Sequence, residues 1–237
     1  MLDLTLQWKA KKYVHEHAKE LVFKFANLEE FKPDENPITI FMAGSPGAGK
    51  TEFSTSFKPA LFDYQTESKA VMIDPDKIKL EIPQYTGKNT DSVQLAATII
   101  ADKIYDQVLK KKQCVIVDTT FARLDKASKN VERAMKHDRS VGIIYIYQDP
   151  VIAWKFTKIR EIEEGRPIPK DMFIRSLFAA QENVNLVKEK YGQAIKVFLV
   201  EKDFVINKAK ITVNVDKIGN YVINKYTSED LEKILKV

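Results

Sequence analysis

Lys50 and Thr51 close an eight-residue stretch, Gly44–Ser45–Pro46–Gly47–Ala48–Gly49–Lys50–Thr51, which carries three of the chain's eight glycines. The spacing matches G-x-x-x-x-G-K-[ST], the phosphate-binding P-loop. Glycines allow consecutive backbone N–H groups to turn inward around phosphate oxygens. A helix that follows aims its positive end at the same oxygens. The lysine reaches the β- and γ-phosphates, and the threonine hydroxyl is a ligand for Mg²⁺. An apolar run, "ITIFMA", precedes the loop and helix-forming sequence follows it. The ligand this pattern implies is the triphosphate of ATP or GTP with Mg²⁺, held by all eight residues.

A P-loop does not name a reaction, so the acids and arginines near it matter. Asp76 stands in "IDPDKIK", just after an apolar run. An acid there can take the proton of an acceptor hydroxyl and orient it for in-line attack. Its neighbour Asp74 reads instead as a helix N-cap, with Pro75 at the first helical position. Asp118 ends "VIVD", where a P-loop protein places an acid for the Mg²⁺ shell. Thr120, two residues on, can hydrogen-bond phosphate or acceptor. Arg160 and Arg166 bracket "REIEEGRPIP". They can close over a transferring phosphoryl group, or pair at the surface with Glu161, Glu163 or Glu164; the pattern leaves both readings open. His15, His17 and His137 stand apart from any metal-ligand or triad spacing.

These side chains need a scaffold. Apolar runs at 38–43, 70–74, 114–118, 141–147 and 195–200 alternate with helical periodicity at about 50–59, 91–112, 124–137, 149–163 and 169–191. Alternation of this kind predicts an α/β fold: a parallel sheet with helices on both faces, of the P-loop NTPase type. Ligands in such sheets gather at the carboxyl ends of strands, where Asp76 and Asp118 are expected. A helix is predicted over 8–30, with Trp8, Tyr13, Val14, Ala18, Leu21, Val22 and Phe25 near one face. "FVINKAKITVNVDKIGNYVINKY" predicts short alternating strands with turns at Asn207 and Gly219, then a last helix from about 228. The expected organisation is a helical segment 1–37, a P-loop kinase domain 38–200, and a β-rich appendage 201–237.

The 237 residues are 44% hydrophobic and 30% charged, an ordinary globular balance with a net charge of +5. The positive charge suits an anionic ligand. It is scattered rather than gathered into a tract, which argues against a nucleic-acid groove. The single cysteine, Cys114, lies in an apolar run and reads as a buried, inert thiol. No run approaches a membrane span, and "MLDLTLQWKAKKYV" lacks a signal-peptide core. A cytoplasmic chain is expected, with no membrane partner.

Three classes of nucleotide-using protein compete, and a fourth reading leaves the enzymes. A GTPase should carry D-x-x-G after a strand and N-K-x-D for the base; here the strand-end acid begins "DTTF" and no N-K-x-D occurs. A kinase needs a P-loop, an acceptor-side base and arginines, and all have candidates. A motor or signalling ATPase would be expected to carry a second recognisable ATPase module, which the sequence lacks, and a nucleotide-dependent regulatory protein would engage a partner through its N-terminal helix and tail.

"GSPGAGKT", "IDPDKIK", a long helix over 91–112, "VIVDTT" and "KIREIEEGRPIP" follow in one order. Over roughly residues 38–200 this arrangement resembles the zeta toxin family of P-loop kinases. The resemblance implies transfer of a nucleoside triphosphate's γ-phosphate, with Mg²⁺, to the 3′-hydroxyl of UDP-N-acetylglucosamine or a related UDP-amino sugar. It also implies toxicity to bacteria and an antitoxin partner. Lys50 and Thr51 match the family's P-loop pair, and Asp76 matches its hydroxyl-activating acid. Thr120 matches the threonine of its E-G-T, which here reads Asp118–Thr119–Thr120. Arg160 and Arg166 match its phosphate-clamping arginines, with a shorter arm between them. Asp102 stands where the family has an acceptor-contacting glutamate, one methylene longer. The alternative acceptor is a polynucleotide 5′-end or another small molecule, because some such kinases place an acid and a basic residue like Asp76 and Lys79 after the second strand.

Overall fold

The computed structural model describes residues 2–62, 69–165, 167–204, 208–222 and 226–236, with the backbone alone described at 57–62. The chain opens with helices α1 (Leu4–Glu16) and α2 (Ala18–Ala26). It then alternates: β1 (Ile38–Ala43), α3 (Lys50–Phe62), β2 (Val71–Ile73), α4 (Pro75–Lys79), α5 (Thr90–Lys110), β3 (Val115–Val117), α6 (Leu124–Met135) and β4 (Ser140–Tyr147). There follow α7 (Pro150–Glu164), α8 (Lys170–Tyr191), β5 (Ile195–Asp203), β6 (Lys208–Thr212) and α9 (Ser228–Ile234). The strands form one sheet in the order β2-β3-β1-β4-β5-β6. Every pairing from β2 to β5 is parallel, and β6 joins β5 antiparallel. This is the expected α/β architecture.

The central strands are apolar on both sides because both sides are covered. Along β1, Phe41 and Ala43 join the large core beneath α5, α6 and α8, while Ile40 and Met42 face the smaller core with Ala48 and Phe53. The same alternation sends Ile143 and Tyr145 of β4 one way and Ile144 and Ile146 the other. Period-2 geometry divides a continuous apolar run between two layers. At the amino ends of the strands, buried Arg139 donates to Thr39 Oγ1 and to the Ile38 and Gln113 carbonyls, which ties β1, β4 and the approach to β3 together. Cys114 is buried, and desolvation raises its thiol pKa, as expected of an inert cysteine.

Two expectations are corrected. The predicted helix over 8–30 is two helices that break at His17 (φ −101°, ψ 17°). The break turns two separate faces onto the core: Ala10 and Val14 from α1, then Leu21, Val22 and Ala26 from α2. Trp8 is not on the buried face; it is 62% exposed, with Lys12 Nζ 5.6 Å from its ring centre. After residue 200, the alternating apolar residues do not make several short strands among the described residues. β6 extends the main sheet. Val215, Ile218 and Val222 then enter the large core at spacings of three and four, on a turn that is bonded by Val215 N–H to the Val197 carbonyl (3.0 Å). The turn expected at Asn207 lies outside the described residues. α9 forms as predicted, and its Leu231 packs with Trp154, Phe173 and Leu177 of α7 and α8.

Candidate active site

The P-loop joins β1 to α3, and its glycines are there for backbone reasons. Gly44 (φ +134°) and Gly47 (φ +72°) adopt angles that strain any residue with a side chain. A Cβ at Gly44 would run into the Ile146 carbonyl oxygen, and one at Gly47 into that of Ala153. The loop is therefore pressed against the end of β4 and the start of α7. Lys50 folds back over it and donates from Nζ to the Gly44 (3.1 Å) and Ser45 (2.7 Å) carbonyls. Gly44 N–H donates to the Thr120 carbonyl (3.2 Å), so the loop after β3 holds the P-loop's first residue.

Thr51, in the first turn of α3, donates from Oγ1 to Asp118 Oδ2 at 2.7 Å. Burial raises the Asp118 pKa, while Lys50 and the Thr51 hydrogen bond oppose the rise. Burial likewise lowers Lys50 to about 8, while Asp118 opposes the fall. The two charges are desolvated together and only partly compensate each other. Such a site gains when a polyanion and a cation enter together.

The donor set fits Mg²⁺. A hydroxyl and a carboxylate, both hard oxygen ligands, stand side by side at the P-loop. Among the described residues no group of three or more His, Cys, Asp or Glu could cage a metal alone. Mg²⁺ is ordinarily held by one or two protein oxygens together with substrate phosphates, so the pair Thr51–Asp118 suffices.

Asp76 rises from α4. Asp74 caps that helix as expected, accepting from Asp76 N–H at 2.8 Å. Asp76 Oδ1 accepts from Lys79 Nζ at 2.9 Å, and Oδ2 lies 3.8 Å from an Arg160 guanidinium nitrogen. Arg160 also reaches Glu164 at 3.4 Å, which is the surface pairing, while its approach to Asp76 brings it to the proposed site. Lys79 is only 3% exposed while Asp76 is 41% exposed. A buried ammonium thus underpins an accessible carboxylate. Lys50 feels Asp118, Arg160 and Asp76 electrostatically, which places all four in one neighbourhood.

Asp102 has a different partner. It lies on α5 with Oδ1 3.6 Å from Lys126 Nζ of α6. Arg166 lies outside the described residues; α7 ends just before it at Gly165, whose left-handed conformation (φ +64°) lets its N–H bond the Glu161 carbonyl.

One device was missed in the sequence. Phe121 is buried and left-handed (φ +62°), which for a bulky residue costs about 1–2 kcal/mol. Buried Asn183 of α8 donates to its carbonyl at 3.0 Å, and Thr119 Oγ1 accepts from its N–H at 3.1 Å. The ring packs 6.1 Å from Phe41. This strained corner shapes the 118–122 loop that presents Asp118 and Thr120 to the P-loop. No sequence signal marks it, because only tertiary contacts hold a phenylalanine there.

Comparisons with known proteins bear on this geometry. The model of the zeta toxin family matches residues 24–217, past the 38–200 span of the motifs, and takes in the end of α2 and all of β6. No curated protein matches the chain. Among solved structures, it is similar to one from the PezAT chromosomal toxin–antitoxin system of Streptococcus pneumoniae: TM-score 0.65, 16% identity, 98% of this chain and 90% of that one. It is also similar to the AvrRxo1-ORF1:-ORF2 structure with ATP: TM-score 0.63, 15% identity, 86% of this chain and 65% of that one. A candidate kinase from Chloroflexus aurantiacus superposes with TM-score 0.52 at 14% identity, over 73% of this chain and 92% of that one. At these identities the structures speak for the fold, and the family match speaks for kinship. With that match spanning well over half its length, the chain belongs to the zeta toxin family and carries that family's P-loop phosphotransferase fold.

Proposed function

We propose that this protein transfers the γ-phosphoryl group of ATP or GTP to a hydroxyl of a small acceptor, a UDP-amino sugar such as UDP-N-acetylglucosamine. The observation that carries the reading is the setting of Asp76. One of its oxygens is held by buried Lys79, and the other faces Arg160 in the neighbourhood of Lys50.

In this reading the residues 44–51 hold the phosphates, and Lys50 leaves the Gly44 and Ser45 carbonyls to bind the β- and γ-oxygens. Thr51 and Asp118 would hold Mg²⁺, which when bound neutralises phosphate charge. Asp76 orients the acceptor hydroxyl and takes its proton. The acceptor oxygen forms a bond to the γ-phosphorus as the bond to the β–γ bridging oxygen breaks, and the nucleoside diphosphate leaves. Arg160 and Arg166 stabilise charge on the transferring group. Thr120 and Asp102 are assigned to the acceptor by family resemblance. The polynucleotide alternative loses support, because the basic residue after Asp76 that would greet a nucleic acid is buried and engaged with Asp76 itself. The similarity to the PezAT toxin–antitoxin structure leads us to place an antitoxin among the partners. We propose a cytoplasmic site of action; among the described residues no helix is long and apolar enough to cross a membrane.

The test supplies γ-labelled ATP or GTP and Mg²⁺, with UDP-N-acetylglucosamine and a 5′-hydroxyl oligonucleotide offered in parallel. Label is expected on the sugar nucleotide. Asp76→Ala should cut that transfer by about 10²–10⁴-fold, the usual worth of a general base, with nucleotide binding kept. Near-normal turnover in the variant would remove Asp76 as the base, and label on the oligonucleotide alone would replace the acceptor.

A further inference from the structure

β5 runs parallel to β4, and its carboxyl end emerges beside the P-loop. Glu201 there is paired across the sheet edge with Lys210 of β6 at 3.3 Å. Lys202, the next residue, turns the other way. A Cβ built on Gly49 would overlap Lys202 Nζ, and Lys202 Cε lies 3.5 Å from the same point. The ammonium is therefore in contact with the P-loop backbone, at the residue just before Lys50. Glu52 Oε2, from the first turn of α3, also lies 3.5 Å from that point. Even so, no carboxylate among the described residues comes within 4.0 Å of Lys202 Nζ to pair with it.

We propose that Lys202 is a second phosphate-binding ammonium, which acts on the α- and β-phosphates of the bound nucleotide; this rests on the P-loop reading above. The two lysines have different neighbours. The charges that Lys50 feels include Asp118, Arg160 and Asp76, the group assigned to the reacting end. Lys202 stands over the glycine backbone that in a P-loop cradles the α- and β-phosphates. The positive φ of Gly49 (+79°) asks for glycine there on backbone grounds, and the missing side chain leaves the amine room against the loop. Lys202 also gives the carboxyl end of β5 a role in the site, although it lies about 150 residues downstream of the loop.

The experiment is a titration of ATP, ADP and AMP by calorimetry, with Mg²⁺, into the wild-type protein, Lys202→Met, Lys202→Arg and Lys50→Met. Lys202→Met is expected to weaken ATP and ADP equally, by about tenfold, the scale of one lost charge-assisted hydrogen bond. Lys202→Arg should recover most of the loss. Raising salt should narrow the gap between wild type and Lys202→Met. Lys202→Met that binds ATP and ADP like wild type, beside a weakened Lys50→Met, would overturn this inference and leave the P-loop reading standing. A loss confined to ATP would overturn the placement at the α- and β-phosphates. Wild-type protein that binds neither nucleotide would overturn the P-loop reading and this inference with it.

Discussion

The two halves of the site are built in different materials. The half proposed for the donor is backbone: glycines at positive φ and a loop clamped against Ile146, Ala153 and Thr120. The half proposed for the acceptor is side chain: Asp76 on α4 and Arg160 on α7, partly exposed, with buried Lys79 one turn on, all joined by charge. Backbone geometry is rigid because packing on both sides determines it. Long side chains that meet at 3.8 Å keep their freedom until something neutral or anionic settles between them. On the reading proposed above, the backbone part of phosphate recognition is pre-organised, while Lys50 and the acceptor side are completed by their ligands. Variants should divide along the same line.

The largest joint effect on turnover and nucleotide affinity is expected on the donor half. Lys50→Met removes the ammonium from the β- and γ-phosphates and should lower kcat by about 10²–10³-fold, the range for loss of one preorganised electrostatic donor. Nucleotide affinity should fall with it, unlike in Asp76→Ala. The check is single-turnover transfer alongside nucleotide titration. If Lys50→Met lost transfer but bound nucleotide normally, the two halves would not be separable as drawn.

A smaller effect is expected from Lys79, which works only through Asp76. Lys79→Met deletes one charge-assisted hydrogen bond to a carboxylate that is 41% exposed. Solvent screening discounts that bond to about 1.5 kcal/mol, roughly tenfold in kcat. Lys79→Arg should recover part of the rate, and nucleotide affinity should stay at the wild-type value. A role in folding alone would instead lower the melting temperature and nucleotide affinity together, with no rescue by arginine. Steady-state kinetics and a thermal melt on both variants distinguish the two.

The same division governs what the sequence discloses. The P-loop is legible because left-handed backbone demands glycine, and glycine can be read. The meeting of Thr51 and Asp118 at 2.7 Å is legible, because a strand-end acid after a P-loop protein's apolar run is expected near the loop; their Mg²⁺ role belongs to the proposal. The parallel sheet is legible from its buried runs, since a strand covered on both faces has no polar side to disguise it. The acceptor half is less so. Arg160 reads equally as clamp or surface ion pair, and its contacts are with two carboxylates, Asp76 and Glu164. The burial of Lys79 cannot be seen at all, because a lysine at the end of a short helix is ordinarily solvated. Phe121 defies local preference and depends on Asn183, 62 residues away. At the N-terminus, continuous helical periodicity concealed the break at His17, which serves tertiary packing rather than propensity.

The smallest effect is one of pH, and it isolates the donor half without mutation. Burial holds the Lys50 pKa at about 8 in the free protein. A bound polyphosphate places negative charge against the ammonium and raises that pKa. Binding then takes up a proton wherever the pH lies between the free and bound values. Affinity for the nucleotide is therefore full below pH 8 and declines as the pH rises through it. The window lies above the phosphate's own titration near pH ~6, so the decline belongs to the lysine. Between pH 7 and 9 the loss should be several-fold and under about tenfold, because the neutral amine still leaves the backbone N–H groups to bind. Calorimetry at pH 8.5 in two buffers of different ionisation enthalpy counts the proton directly. Lys50→Met should flatten the profile, whereas Asp76→Ala should leave a decline of the same sign. A flat wild-type profile would mean that Lys50 is fully charged before the nucleotide arrives, and that its amine is less desolvated than its burial against the Gly44 and Ser45 carbonyls implies.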